Sequence, residues 1–138
     1  MAKELFVDTG AWVALADQDD KYHERATKEY PNLLKNYRRL VTTNLVVAEV
    51  YIILRKALGH AAAITFLESV RSSPRIEKVQ SMEELEIEAE DILRRYSDQD
   101  FSYTDAVSFA LMRQRGIDAA FAFDNKHFSI AGFSMVPT

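Results

Sequence analysis

The chain has 138 residues, of which 48% are hydrophobic and 28% are charged, so we expect a single domain over residues 1–138 with its own apolar core. Its 17 basic and 21 acidic residues give a net charge of −4, which argues against a general nucleic-acid binder, a class that is usually basic. Cysteine is absent, which excludes disulfides and a cysteine zinc site, and the chain shows neither a signal peptide nor an apolar stretch long enough to span a membrane. These features predict a cytoplasmic protein with no role in a membrane.

Strands and helices alternate in the predicted chain. In order, they are a strand at 4–7, a helix at 9–17, a polar helix or helix pair at 23–37 broken near Pro31, a strand at 40–42, helices at 44–58 and 60–71, a strand at 75–79, helices at 82–96 and 103–115, and strands at 119–123 and 133–136. This alternation indicates an α/β fold with three layers, α/β/α, around a mostly parallel central sheet.

Local signals set several helix ends. Asn44 is predicted to cap the third helix, and Ser81 with Glu84 is typical of a capping box at the start of the helix at 82–96. Gly59 and Gly116 are predicted to end the helices before them.

Two aspartates directly follow predicted strands. Asp8 comes after Leu5-Phe6-Val7, and Asp124 follows the apolar run 119–123. In parallel sheets ligands bind beyond the carboxyl ends of the strands, so both side chains are candidates for a ligand site. The alternative is that each caps a helix or turn, a common role of Asp.

Glu49 occupies an apolar position of its predicted helix. The residues one turn before and after it are all apolar: Leu45, Val46, Ile52 and Ile53. A buried carboxylate must be neutral, paired with a cation or bound to a metal. An ion pair with Arg55 or Arg38 is the alternative to a metal site.

Asp105 repeats this pattern in the first turn of its helix, on the same face as Phe109 and Met112. An acid there also favours the helix dipole, so a capping role is the alternative. Ser102 or Thr104 could supply the cap instead and leave Asp105 for another role.

Taken together, the four acids Asp8, Glu49, Asp105 and Asp124 predict a metal site. Four like charges share a pocket only if some are protonated or cations neutralise them. Oxygen ligands suit Mg²⁺ or Mn²⁺ better than zinc or copper.

At this point the chain resembles the PIN-domain nucleases, and among them the VapC-type toxins of toxin–antitoxin pairs. The resemblance runs from Leu5 to Val136 and depends on an ordered set of short motifs: Phe6-Val7-Asp8-Thr9, Asn44 to Val50, Tyr103-Thr104-Asp105-Ala106, Gly116-Ile117, Phe123-Asp124 and His127-Phe128. Gly10 departs from the small polar residue that many members carry.

The resemblance implies a three-layer fold and cleavage of RNA phosphodiester bonds with Mg²⁺ or Mn²⁺. The acidic positions of the family fall on Asp8, Glu49, Asp105 and Asp124, and Thr9 and Thr104 are expected to orient these ligands or a water molecule. It further implies an antitoxin that covers the site and a homodimer, formed through helices within residues 23–71.

RNA must reach an acidic site on an acidic chain. The candidate phosphate contacts are Arg38, Arg39, Arg55 and Lys126, and the alternative for each of them is ordinary surface charge. Trp12 and Tyr103 could stack on bases, although core packing is the more common role of such a Trp. His127 is expected to pack or hydrogen-bond rather than to act as a base.

Three other functions fit parts of the pattern. A haloacid-dehalogenase phosphatase also places an Asp after its first strand, but it needs a second acid where this chain has Gly10. A non-catalytic PIN-like module would bind RNA or protein without cutting, and the presence of all four acids argues against it. A housekeeping RNA-processing nuclease differs from a toxin in having no antitoxin, and the small domain favours the toxin.

Overall fold

The computed structural model describes residues 3–123 and 126–138. Within these residues five strands form one sheet: β1 (Glu4–Val7), β2 (Arg39–Thr43), β3 (Ile76–Val79), β4 (Ala119–Phe121) and β5 (Ser134–Val136). The helices of the same residues are α1 (Thr9–Ala16), α2 (His23–Asn36), α3 (Asn44–Leu58), α4 (His60–Ser72), α5 (Glu83–Arg95), α6 (Tyr103–Arg115) and α7 (His127–Ile130). None of them is both long and apolar enough to cross a membrane.

The sheet has the order β3-β2-β1-β4-β5, and its strands are parallel at every pairing. This confirms the predicted α/β class, with a sheet that is entirely rather than mostly parallel. The chain moves outward from β1 to β3, then returns to β4 on the other side of β1. Because such crossovers are right-handed, this reversal places α1 to α4 on one face and α5 to α7 on the other.

The reversal creates a switch point between β1 and β4. The loops after these neighbouring strands leave toward opposite faces, and the crevice between them is where open α/β sheets bind ligands. Asp8 follows β1 at this point, and its backbone N–H donates to the carbonyl of Phe121 in β4 at 3.1 Å.

Aromatic rings fill the core between the sheet and the second helix layer. Phe6, Phe109 and Phe128 are all fully buried. The rings of Phe109 and Phe128 meet edge to face at 5.1 Å, and Phe128 also contacts Phe6. Burial of each ring contributes about 1.5–3 kcal/mol, so this cluster fixes α6 and α7 against the strands that end at the site.

The predicted cap of α3 was wrong by one residue. Thr43 ends β2 in an extended conformation, and its hydroxyl accepts a hydrogen bond from the Val46 N–H at 3.2 Å. Asn44 is therefore already helical, and its side chain accepts from the Ser81 N–H at 2.8 Å. Asn44 thus ties the start of α3 to the loop that precedes α5.

The predicted capping box at Ser81 was also wrong. Met82 precedes α5, and within this described helix no side chain provides a cap. The Ser81 hydroxyl instead donates to Glu86 at 3.1 Å. Because Ser81 lies one residue too early, its side chain reaches the second turn rather than the first N–H groups.

Two further segments differ from prediction. Helix α2 continues through Pro31 without a break. The proline is exposed, and the burial of Ala26 and Leu33 on the inner face offsets the lost hydrogen bond. Strand β4 ends at Phe121, two residues early, and the short helix α7 was not predicted.

Candidate active site

Asp8 begins helix α1 through its backbone rather than its side chain. Its carbonyl accepts hydrogen bonds from the N–H groups of Ala11 and Trp12. Within the described helix its carboxylate makes no capping bond. The capping alternative therefore does not account for this side chain, whose backbone partner is the N–H of Thr9.

The carboxylate of Asp8 is costly to ionise. The residue is only 8% exposed, and burial is the main cause that raises its pKa from 3.8 to about 7. The N–H of Thr9 opposes this rise, while the charges of Asp105 and Glu49 add to it and His127 reduces it. The structure thus brings three of the predicted acids into one electrostatic cluster.

Glu49 reaches the cluster from the second turn of α3. The Thr9 hydroxyl donates to Oε1 of Glu49 at 2.8 Å, which fixes the carboxylate beside Asp8. The expected apolar surroundings were wrong, because Ile52 is 54% and Ile53 is 41% exposed. The buried face of α3 is formed by other residues of the helix. Glu49 lies half-buried at the border of that face.

Asp105 has two roles that the sequence presented as alternatives. Ser102 caps α6 by accepting from the Asp105 N–H at 2.9 Å, and Oδ2 of Asp105 accepts from the Ser102 N–H at 3.0 Å. This is a complete capping box. The expectation that a cap at Ser102 would free Asp105 was wrong, although the same carboxylate also acts on Asp8.

His127 packs and hydrogen-bonds beside the acids, as the sequence predicted. Its Nδ1 lies 2.9 Å from Oδ2 of Asp105, and its Nε2 lies 2.9 Å from Oδ1 of Asp100. Burial lowers the pKa of the imidazole, but the hydrogen bonds to Asp105 and Asp100 outweigh it and the pKa is raised. When the ring is protonated, both nitrogens donate to carboxylates and His127 places a positive charge beside the acids.

A sequence signal for this role existed. His127 follows the Phe123-Asp124 motif and precedes Phe128, a buried ring that anchors α7 to the core. The ring of Phe101 packs against the imidazole at 5.1 Å. A histidine held between a core anchor and a site motif has a fixed orientation, which is what a role in orienting a carboxylate requires.

Two predicted site residues remain, the acid Asp124 and the hydroxyl residue Thr104. Asp124 lies outside the described residues. Thr104 is buried in the first turn of α6, and its carbonyl accepts from the Ser108 hydroxyl at 2.8 Å. In residues 3–123 and 126–138, no three acidic or histidine side chains form a ready metal-binding group.

The structure separates the predicted RNA-binding cations. Arg38 pairs with Glu4 at 3.7 Å, and Arg39 pairs with Glu77 at 3.1 Å. Glu4 begins β1 and is in register with Arg39, so both arginines lie at the amino edge of the sheet, about 10 Å or more from Asp8. They do not meet the acid cluster.

Arg55 and Lys126 lie elsewhere. Arg55 is exposed on α3, six residues and about 9 Å beyond Glu49 along the helix. Lys126 is exposed and directly precedes His127, so it is at the carboxyl edge.

Of the two aromatic candidates, Trp12 belongs to the core. It is 5% exposed, and its indole N–H donates to the Thr42 hydroxyl at 3.4 Å. Tyr103 is 40% exposed, and its hydroxyl donates to Glu90 at 2.9 Å.

Comparison with known proteins gives consistent matches over almost the whole chain. The sequence pattern of the PIN domain family matches residues 5–133. The 23S rRNA-specific endonuclease VapC20 of Mycobacterium tuberculosis is 35% identical over 129 residues, which cover 94% of this chain and 95% of that protein.

Solved structures agree. The crystal structure of Mycobacterium tuberculosis VapC20, described as a sarcin–ricin loop cleaving toxin, matches with a TM-score of 0.84 and 34% identity over 94% of this chain and 95% of that one. FitAcB from Neisseria gonorrhoeae matches with a TM-score of 0.64 and 14% identity over 95% of both chains, a likeness of fold alone. The resemblance predicted from the sequence is confirmed, and this chain belongs to the PIN domain family.

Proposed function

We propose that this protein is a metal-dependent endoribonuclease that hydrolyses phosphodiester bonds of RNA and is the toxin of a toxin–antitoxin pair. The observation that carries the proposal is the cluster of Asp8, Glu49 and Asp105 at the switch point of the sheet, in a chain that is similar to a toxin nuclease along its whole length. Asp124 is proposed as the fourth acid on the strength of the family motif.

The chemistry of the donors fits a divalent ion. Asp8 is a buried carboxylate whose pKa is raised to about 7 by burial and by two neighbouring acids. A bound cation offsets this repulsion, and carboxylate oxygens are the ligands that Mg²⁺ and Mn²⁺ prefer. Asp8, Glu49, Asp105 and Asp124 would hold it. When bound, such an ion supplies positive charge to the scissile phosphate and favours deprotonation of water.

The chain itself keeps these carboxylates in place. Thr9 holds one oxygen of Glu49, and Ser102 with His127 holds Oδ2 of Asp105. The carboxylates therefore have little freedom to rotate away when substrate arrives. Such preorganisation matters because the site does not have to reorganise as charge develops in the reaction.

The proposed substrate is structured ribosomal RNA. The matched relative is named as a 23S rRNA-specific endonuclease, and its crystal structure is that of a sarcin–ricin loop cleaving toxin. With 35% identity over 94% of the chain, we propose the same class of target here. Mn²⁺ and Mg²⁺ are both proposed as activating ions.

Partners complete the proposal. A toxin of this type acts on cytoplasmic RNA and is held inactive by a cognate antitoxin. A homodimer is proposed through α3, where Ile52, Ile53 and Leu58 are exposed. Apolar side chains of this size on one helix are a common mark of a protein interface.

The test is a cleavage assay on ribosomes, on a sarcin–ricin hairpin and on an unrelated hairpin, with Mn²⁺, Mg²⁺ or a chelator. Asp8→Asn and Asp105→Asn are the inactive controls, and Asp91→Asn on the exposed face of α5 is the matched neutral control. We expect metal-dependent cutting that is lost in the first two variants only. Cutting that survives both would reveal a contaminating nuclease, and intact RNA in every arm would favour a binding module.

A further inference from the structure

The carboxylate of Asp105 uses only one of its two oxygens for contacts within the protein. Oδ2 accepts from the Ser102 N–H at 3.0 Å and lies 2.9 Å from Nδ1 of His127. A carboxylate oxygen has two lone-pair directions, so these two neighbours leave Oδ2 no capacity for a further ligand. Oδ1 accepts no hydrogen bond from any residue in 3–123 or 126–138. It is therefore the oxygen of Asp105 that remains for an ion.

The neighbouring acids are held in a similar way. Oε1 of Glu49 accepts from the Thr9 hydroxyl at 2.8 Å, while Oε2 accepts no hydrogen bond from the part of the chain that the structure describes. The carboxylate of Asp8 has the N–H of Thr9 as its backbone partner. Each of the three carboxylates thus has a donor of the chain beside it, and at Asp105 and Glu49 the donors occupy one oxygen only.

This division of the oxygens bears on which ion fits. A carboxylate that is held at one oxygen can bind an ion only through the other. Ca²⁺ takes about six to eight oxygens and often both oxygens of a carboxylate, whereas Mg²⁺ requires a nearly octahedral site and keeps several water molecules. Mn²⁺ accepts the same kinds of oxygen ligand as Mg²⁺. Single oxygens from several acids therefore suit these smaller ions, and they leave positions for water and for a phosphate.

The imidazole that occupies Oδ2 is itself fixed in orientation. Its Nε2 lies 2.9 Å from Oδ1 of Asp100, a side chain that is 93% exposed. The ring of Phe101 packs against it at 5.1 Å, and the next residue, Phe128, is fully buried. His127 therefore cannot turn away from Asp105 without losing contacts on both of its ring nitrogens.

We infer that His127 is a positioning residue of the metal site: it keeps Oδ2 of Asp105 occupied, so that this carboxylate presents Oδ1 alone to the ion. Asp100 is a positioning residue one step further out, because it fixes the imidazole. This inference rests on the proposed function and adds a means by which the chain selects Mn²⁺ or Mg²⁺ over Ca²⁺.

Two substitutions of His127 separate the donor to Asp105 from the rest of the ring. Asparagine places its amide nitrogen near the position of Nδ1, and glutamine places it near that of Nε2, so His127→Asn keeps the donor and His127→Gln loses it. Both remove the imidazole and any charge on it. The probe is Mn²⁺ alone, titrated into the full chain without RNA and followed by the EPR signal of the free ion.

We expect His127→Gln to bind Mn²⁺ about tenfold more weakly than His127→Asn, the lower end of the effect of a group that orients a metal ligand. Competition with Ca²⁺ gives a second readout. The preference for Mn²⁺ over Ca²⁺ should be smaller in His127→Gln, because Asp105 can then bind with both oxygens. Melting temperatures in chelator show whether the two variants are equally folded.

Asp100→Ala tests the outer residue, and it decides the question if either His127 variant fails to fold. It should raise the Kd for Mn²⁺ about threefold, a small effect because the pair with His127 is exposed. The matched control is Asp98→Ala, which removes an exposed acid of the same loop and should leave the Kd unchanged.

Equal Mn²⁺ affinities of the two His127 variants, tighter binding by His127→Gln, or no binding of Mn²⁺ by the wild-type protein would each overturn the inference. Equal effects of the Asp100 and Asp98 substitutions would overturn its outer step. If the His127 variants differ as expected but the wild-type protein cuts no RNA with Mn²⁺, the nuclease function fails and the inference stands. If Mn²⁺-dependent cutting is observed and the two variants bind equally, the function stands and the inference fails.

Discussion

The hydroxyl of Thr9 donates a hydrogen bond of 2.8 Å to Glu49, although the two residues are 40 positions apart. Thr9 is the first residue of α1 and Glu49 lies in the second turn of α3, so one bond links two helices to the edge of the sheet. Because Asp8 directly precedes Thr9, the bond also sets the separation of two site carboxylates.

Removal of this hydroxyl should impair cleavage with little effect on folding. Thr9→Val keeps the shape of the side chain but leaves Glu49 free to rotate. Because loss of such supporting bonds typically costs about 10–100-fold in metal affinity or activity, we expect the cleavage rate to fall about tenfold. Thr9→Ser retains the donor and should stay near wild-type activity. Initial cleavage rates over a Mn²⁺ titration measure the effect, and equal rates for the Val and Ser variants would contradict it.

Asp8 should destabilise the metal-free protein at neutral pH. Its folded pKa of about 7 exceeds the unfolded value of 3.8, so the folded state binds the extra proton and stability falls as pH rises from about 4 to 7. Asp8→Asn removes this cost and should raise the free energy of unfolding at pH 7.5 by on the order of 3 kcal/mol, with little change near pH 4. Urea denaturation at both pH values, in chelator, measures the difference.

The same variant should lose the response to metal. Mn²⁺ should raise the melting temperature of the wild-type protein, because the ion binds the folded state, and should do so much less for Asp8→Asn. An Asp8→Asn protein that is less stable than wild type in chelator at pH 7.5 would show that Asp8 makes a stabilising contact instead.

His127 should titrate at a lower pH when Asp100 is neutralised. The hydrogen bonds that the imidazole donates to Asp105 and Asp100 raise its pKa, so the stability they provide is present below the unfolded value of 6.5 and is lost as pH rises through the folded value. Asp100→Asn should lower the folded pKa, measured by NMR titration of the imidazole protons. Asp98→Asn, an exposed acid in the same loop, is the control and should leave it unchanged.

The ion pairs at the amino edge should serve stability and not catalysis. Arg115 contacts Glu77 at 2.6 Å, and its hydrogen bond is the main cause that lowers the pKa of Glu77. Glu77→Gln should cost about 1 kcal/mol at pH 7 and should leave the cleavage rate unchanged. The difference in stability should be lost as pH falls below the unfolded pKa of 4.5 and through the lowered folded pKa. The control is Glu68→Gln on the exposed face of α4, and a lower cleavage rate in Glu77→Gln would refute the division of roles.

The proposed homodimer should depend on α3. Ile53→Glu places a charge among exposed apolar side chains and should shift the protein from dimer to monomer in size-exclusion chromatography with light scattering. Ile87→Glu on α5, where the side chain is 58% exposed, should leave the mass unchanged. A monomeric wild-type protein, or equal effects of the two substitutions, would locate the interface elsewhere or exclude it.

The sequence predicts the order of the strands and helices because each carries its own periodicity. The strand before Asp8 is apolar over its last three positions, as burial on both faces requires, and Gly59 and Gly116 end their helices with positive φ angles of 100° and 68°. The strand order places Asp8 at the switch point, which an alternating pattern alone does not specify.

The predictions that were wrong concern side chains whose contacts depend on residues far away in the sequence. Thr43 and Asn44 are both good caps, and only the end of β2 decides between them. Ile52 and Ile53 are apolar but exposed, so apolar neighbours did not establish burial of Glu49. The ion pairs of the predicted phosphate contacts at the amino edge, Arg38 with Glu4 and Arg39 with Glu77, depend on how β1, β2 and β3 pair, which the sequence pattern does not reveal.

The capping box at Ser102 and Asp105 affects how an inactive form of the protein should be made for trapping uncut RNA. Alanine at position 105 would remove the acceptor for the Ser102 N–H and fray the first turn of α6, at a cost of about 1 kcal/mol. Asparagine keeps an oxygen that can accept this bond while it removes the charge. An inactive protein with asparagine at this position therefore keeps the scaffold of the site, and a complex captured with it would report the native path of the RNA.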